Sequence, residues 1–301
     1  MRRNDHDVSD SIRTTDPAAV AAEVTRLFRS LYPQASSGAI ERAFADAVCL
    51  YHGRHPRFHH CDTGYHDLQH VLDVTLAQAR LMDGYARMRN GTEPLPAVLF
   101  TVGVICALFH DMGYVRRRGD RRHRNGAEYM LTHVSRGAAF LLEYLRGAGL
   151  GRYAHAAAAL VHYTGYERPV EAIRVDNLLL RRVGQMLGTA DILAQMSDRC
   201  YLEKCRDRLY PEFVAGGVAR TLFRSGAELV RNTPGFFLSA TKRLDLQLAR
   251  AYEYAGRHFG GQNLYLEEIH KNVRHARLVA DAGRDELLRR TPPPALPALN
   301  Q

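Results

Sequence analysis

The stretch that most restricts the fold is residues 95–109, LPAVLFTVGVICALF, an unbroken apolar run that stops at His110-Asp111. A membrane-spanning helix needs about 20 apolar residues, and this run is shorter. It therefore predicts a helix buried inside a bundle. A helix apolar on every side must be surrounded by other helices, and the polar pair at its end must be satisfied within the protein. A metal ion is one partner that would satisfy it.

The rest of the chain supplies the surrounding helices. Residues 65–88 carry Leu68, Val71, Leu72, Val74, Leu76, Ala79 and Leu81 as a broad apolar stripe of helical period. Asp16-Pro17 opens a helix to about Tyr32, as an N-cap followed by proline in the first turn. Further helices are expected over 40–51, 125–145, 153–163, 170–187 running on through Leu202, 236–259 and 264–289. Breaks fall at 33–38, 53–64, Asn90-Gly91, Pro94, Tyr210-Pro211 and Gly216-Gly217. No alternating strand pattern persists. The expectation is a single all-α domain over 16–290, a helical bundle with a helical C-terminal extension. Its motif region spans 65–217, and residues 1–15 and the proline-rich 291–301 are expected to be disordered.

Composition narrows the partners. A hydrophobic content of 46% is enough for a real core. The 41 basic residues against 32 acidic ones give a diffuse excess of +9, which permits anionic ligands without demanding nucleic acid. No helix-turn-helix or aromatic stacking motif accompanies it, so nucleic-acid binding is not favoured. Five cysteines, an odd number with no CxxC spacing, fit a reducing compartment. The polar N-terminus lacks the apolar segment of a secretory signal. A cytoplasmic protein without a membrane span is expected.

Several residues carry candidate chemistry. His66 and His70 stand four apart and share a helical face. With His110-Asp111 and Asp191 they offer nitrogen and oxygen donors from separate helices, suited to a hard or borderline divalent ion such as Mn, Fe, Mg or Zn. Asp111 has two oxygens and could bridge two ions. The loop with His52, His55, His59, His60 and Cys61 has no zinc-finger spacing and reads as a solvated or substrate-facing loop. The arginine-rich run at 116–124 is either a solvated loop or a source of phosphate ligands, with Arg121 and Arg124 as candidates and Lys204 as a third cation.

His70, His110-Asp111 and Asp191 resemble the H…HD…D signature of the HD-domain superfamily of metal-dependent phosphohydrolases. YHDLQHVLDV is similar to the YHNxxHxxDV motif of the cyclic-nucleotide phosphodiesterase branch. The resemblance implies a helical HD-type domain in which His70, His110, Asp111 and Asp191 hold a first metal and His66 is the general acid. His133, in HVSRGA, and His162 resemble ligands of a second ion. Asp73 and Glu128 are candidate supporting partners for ligands or water. The implied activity is hydrolysis of a small phosphate ester, nucleotide-like, by metal-activated water.

Two departures from that motif stand out. Asp67 replaces asparagine, which would place a carboxylate beside His66 and raise its pKa. The HPGxxN element after His-Asp is absent, and the arginine run stands in its place. The alternative function is a non-catalytic module of the same type that binds a nucleotide or partner through 116–124.

Overall fold

The structure, a computed structural model, describes residues 2–88, 93–283 and 287–296. It is all-α, and among the described residues the only β pairing is two isolated bridges, His6 with Arg13 and Phe58 with Arg117. The helices are α1 (Pro17–Leu31), α2 (Gly38–Tyr51), α3 (Leu68–Ala86), α4 (Ala97–Phe109), α5 (His133–Gly147), α6 (Ala154–Leu160) and α7 (Leu178–Ser197). There follow α8 (Tyr201–Lys204), a π-helical turn (Cys205–Leu209), α9 (Tyr210–Ala215), α10 (Ala219–Leu222), α11 (Gly226–Leu246), α12 (Glu253–His258) and α13 (Leu264–Ala282).

The apolar run becomes α4, which is buried from Leu99 to its end. The segment Ala97–Tyr114 is long and apolar enough to cross a membrane, yet 89% of it is buried inside the protein. Around it α3 packs on α4, α7, α1 and α12. Helix α3 exceeds the expected stripe, because it is buried on all sides from Leu68 to Tyr85. Its polar residues find partners inside. Arg80 pairs with Asp7 at 2.6 Å and donates to the Tyr265 hydroxyl, and Asp83 bonds His258 and Arg87.

Residues 2–15 therefore differ from the disordered lead-in expected of so polar a sequence. Asp7 accepts backbone N–H groups from Ser9, Ser11 and Ile12 as well as the Arg80 guanidinium. Arg2 reaches the Ser197 carbonyl at the end of α7. Proline-rich residues 291–296 are also tied down. The Leu296 N–H donates to the Asp67 carboxylate, its carbonyl accepts the Leu68 N–H, and Arg208 donates to the Pro293 carbonyl. Residues 297–301, 284–286 and the Asn90-Gly91 break lie outside the described residues.

Three helix boundaries moved for local reasons. Helix α3 begins at Leu68 with Asp67 as its N-cap, so His66 precedes the helix. Helix α7 begins at Leu178, because the Asn177 side chain caps the Leu180 N–H, and it ends at Ser197. Helix α11 starts ten residues before the expected Phe236 and runs through Pro234: Ser225 caps the Glu228 N–H, while the Glu228 carboxylate accepts from the Arg224 N–H. Proline removes one donor there without ending the helix.

The Asp7–Arg80 pair is almost wholly buried, so removing one partner leaves an unpaired charge in the core. Burial alone would raise Asp7, but Arg80 and the bonds around it bring it down to about 2. Its contribution is thus present above pH ~4 and lost as pH falls toward 2. Asp7→Asn is expected to cost about 3 kcal/mol at neutral pH. Urea unfolding at pH 7 and at pH 2.5 would register the loss and show the difference from wild type narrowing in acid.

Candidate metal centre

Four segments converge at the end of α4. His70 lies in the first turn of α3, where its backbone N–H donates to the capping Asp67 carboxylate at 2.9 Å. His110 and Asp111 follow α4 directly, Asp191 sits within α7, and His133 opens α5. His70 Nε2 is 3.3 Å from Asp111 Oδ2 and 3.4 Å from Asp191 Oδ1. His110 Nε2 is 3.2 Å from Asp111 Oδ2, and His133 Nε2 is 3.8 Å from Asp111 Oδ1. Donor atoms of His70, His110 and Asp191 all lie within 4.8 Å of one another.

The ring orientations have a common logic. His110 Nδ1 lies 2.8 Å from the Ala107 carbonyl and His133 Nδ1 lies 2.7 Å from the Met130 carbonyl. A carbonyl can only accept, so each Nδ1 carries a proton and each ring turns its Nε2 toward Asp111. Backbone-oriented histidines of this kind are what metal ligation uses. Two atoms at the centre, His110 Nε2 and Asp111 Oδ2, are buried and have no hydrogen-bond partner among the described residues. Buried polar atoms left this way cost free energy unless something else satisfies them. A divalent cation fits this donor set.

Electrostatics point the same way. Burial alone would raise Asp111, but the imidazoles of His110, His70 and His66 hold it well below the usual carboxylate range. His70 is drawn down by burial, yet the Asp111 and Asp191 carboxylates beside it push it up to about 10. His133 is lowered by burial, which keeps its lone pair available.

His66 occupies a different position. Its Nδ1 is 2.5 Å from Glu212 Oε2, while Glu212 Oε1 accepts the backbone N–H groups of Tyr65 and His66. The ring stacks on Tyr114 with centroids 4.5 Å apart, and Tyr114 stacks on His133 at 4.3 Å. Burial pulls the His66 pKa down, and the Glu212 charge and hydrogen bond outweigh it to give a net rise. Asp67 was expected to do this. It instead caps α3 and holds the Leu296 N–H. Glu212 lies 146 residues away in sequence, and its only sequence signal is its place in the Tyr210–Ala215 segment.

Several other candidates stand elsewhere. Glu128 closes a capping box with Asn125, its carboxylate accepting from the Arg124 and Asn125 N–H groups. His162 is buried with Nδ1 unbonded and forms no ion pair with the cluster. Asp73, raised by burial to about 7, shares with His70, Asp198 and Lys204 a cavity of about 10 Å³ behind the site. Lys204 is buried there, donating to Asp198 at 2.5 Å and Gln69 at 3.2 Å, so it faces away from the open side.

The arginine run pairs with the histidine-rich loop. The His59 N–H donates to the Arg116 carbonyl and the Arg118 N–H to the Arg57 carbonyl, while the Arg116 side chain binds Asp62. Arg121 and Arg124 are exposed and do not line the cavity above the cluster. That cavity, of about 510 Å³, opens over His66, Asp111, His133 and Asp191.

A family model described as Npun_R2479-like matches residues 22–277. No curated protein matches the sequence. Among solved structures, the phosphodiesterase domain of the RhoPDE fusion protein from the choanoflagellate Salpingoeca rosetta shares the fold. The TM-score is 0.54 at 15% identity, over 94% of this chain and 96% of that one.

Gly113 sets the spacing of the centre. A Cβ there would fall 1.8 Å from the His133 carbonyl oxygen, so only glycine lets the turn after Asp111 touch the start of α5. Gly113→Ala must push His133 away from Asp111. A loss of about 1–3 kcal/mol is expected, and a melting curve with and without added Mn²⁺ would show a lower Tm and a smaller metal-dependent gain.

Proposed function

The chain belongs to the Npun_R2479-like family, and we propose that it is a metal-dependent phosphohydrolase acting on a small phosphodiester. The observation that carries this reading is the buried convergence of His70, His110, Asp111 and Asp191, with two central atoms in ionic contact but without a hydrogen bond among the described residues. The phosphodiesterase-domain fold supports it. His70, His110, Asp111 and Asp191 would hold one divalent ion, and His133 stands where it could serve a second. A bound cation supplies Lewis-acid polarisation of the phosphoryl group and lowers the pKa of water.

The chain's own residues supply the rest. Hydrolysis adds a water oxygen to phosphorus, breaks the P–O bond to the leaving alcohol and requires a proton on that alcohol. His66 gives this proton from Nε2, since its Nδ1 is held by Glu212. The proton lost by water restores His66 after release. Glu212 is the positioning residue: it fixes the ring through two oxygens and keeps the imidazole protonated to higher pH. Tyr114 holds the ring plane by stacking.

Two measurements test the proposal. Purified wild-type protein should carry Mn, Fe, Zn or Mg by elemental analysis, and Asp111→Asn should lose it. Hydrolysis of bis-p-nitrophenyl phosphate should fall by more than the ~10–100-fold typical of an outer partner of a metal ligand. Wild type holding no more metal than the variant would sink the reading. For the acid, Glu212→Gln removes the charge that raises His66, so the basic limb of the kcat/KM profile should move to lower pH. An unmoved limb would reassign the proton donor.

A further inference from the structure

The cavity above the metal cluster has a two-part character that narrows the substrate. Its floor holds His66, Asp111, His133 and Asp191, while Ile192, Leu209, Phe213, Phe223, Leu229 and Phe236 are among the residues of its walls. The Phe213 and Phe223 rings lie parallel, with centroids 6.2 Å apart. The apolar surface continues to the mouth, where Leu131 is 70% exposed, Tyr166 72%, Leu222 56% and Phe236 37%. Large side chains left in water around one opening mark a surface that something apolar covers.

Charge in the cavity is restricted to the floor and one carboxylate. The chain has 41 lysines and arginines, yet none is among the described lining residues. Glu167 is the remaining ionic side chain, and its carboxylate already accepts the Val134 and Ser135 N–H groups at the start of α5. A second phosphate on the substrate would therefore meet apolar walls and a carboxylate, with no cation among the described lining residues to pair it. Three of the uncharged polar groups are engaged in part within the protein. The Thr233 hydroxyl donates to the Leu229 carbonyl, the Asn232 amide to the Glu228 carbonyl, and Gln195 Oε1 accepts from the Tyr65 hydroxyl.

We infer that the substrate is a phosphodiester whose retained group is bulky and apolar, aryl or long-chain alkyl, with no charge beyond the one phosphate. This rests on the phosphohydrolase reading above. The phosphate lies on the metal and histidine floor, and the apolar group fills the walls and emerges at the rim of Leu131, Tyr166, Leu222 and Phe236. A volume of about 510 Å³ accommodates a group of naphthyl or octyl size together with the phosphate. A nucleoside polyphosphate does not suit this lining, and a mononucleotide would set most of its sugar and base surface against walls that are mainly apolar.

The test uses p-nitrophenyl esters that share one leaving group and differ in the retained group: methyl, octyl, 1-naphthyl and 5′-thymidyl. With Mn²⁺ present, kcat/KM for octyl and naphthyl should exceed that for methyl by about 10- to 100-fold, mostly through KM. The thymidyl ester should fall near methyl, and ATP should inhibit poorly. Phe236→Glu, at a rim position where folding tolerates a polar side chain, should shrink the octyl-to-methyl ratio severalfold. In parallel, calorimetric binding of 1-naphthylphosphonate and methylphosphonate reads the walls without turnover. If no ester is hydrolysed but naphthylphosphonate binds at least tenfold tighter, the apolar preference stands and the hydrolase reading falls. If esters are hydrolysed with no advantage for octyl or naphthyl, or thymidyl is preferred, the apolar assignment is overturned and the hydrolase reading remains.

Discussion

Burying the Asp111 carboxylate at the end of an apolar helix is the constraint on which the site depends. A carboxylate that deep is tolerated only if cationic or donor groups surround it. Three imidazoles approach it, His70 from α3, His133 from α5 and His110 from the same helix end. Each ring in turn needs a fixed orientation. The Ala107 and Met130 carbonyls provide this for His110 and His133, so the backbone at two helix ends decides which way each Nε2 points. Moving α5 relative to α4 would break that arrangement, and the contact allowed by Gly113 keeps them together.

A second layer of polar burial supports α3 from behind. Lys204, Asp198, Gln69 and Asp73 lie on the side of His70 opposite the cavity, and Lys204 is raised by its neighbouring carboxylates against the pull of burial. Farther along α3, Arg80 is held by Asp7 of the N-terminal segment. Leu296, in the proline-rich C-terminal segment, closes over Asp67, the cap of the same helix. Both terminal segments therefore bear on the helix that carries His70. Networks of this type add less to net stability than to holding one arrangement, because each buried charge leaves a large penalty if its partner moves.

This explains which parts could be read from sequence. That His70, His110, Asp111 and Asp191 come together was legible because each sits on or beside an apolar helix, where an unpaired polar group is conspicuous. The all-α character followed from the same periodicity. Glu212 was not legible, since nothing local distinguishes it from any other acidic residue in the first turn of a helix. Asp67 was misread for the converse reason: adjacency to His66 in sequence suggested contact, whereas its N-cap role turns the carboxylate to the His70 N–H. The arginine run at 116–124 offered charge but no direction, and its direction is set by backbone pairing with the loop at 57–59. Residues 2–15 read as disordered because their polar side chains find their partners on buried helix α3 rather than among themselves alone.

The division between floor and walls bears on how binding and chemistry would be apportioned. Interactions made equally in the bound substrate and in the transition state lower KM without accelerating the chemical step. Apolar walls would act this way, since the group they enclose would not change charge as a P–O bond breaks. The floor would act in the opposite way. A proton held on His66 by Glu212 would interact more strongly with a developing alkoxide than with an ester oxygen, so its effect would fall on kcat. The apolar walls would strengthen that effect, because excluding water from the space above the floor lowers the dielectric through which His66 and the cluster act. That no basic side chain stands among the described lining residues fits such a division, since an arginine in the wall would hold a phosphate equally well before and after reaction.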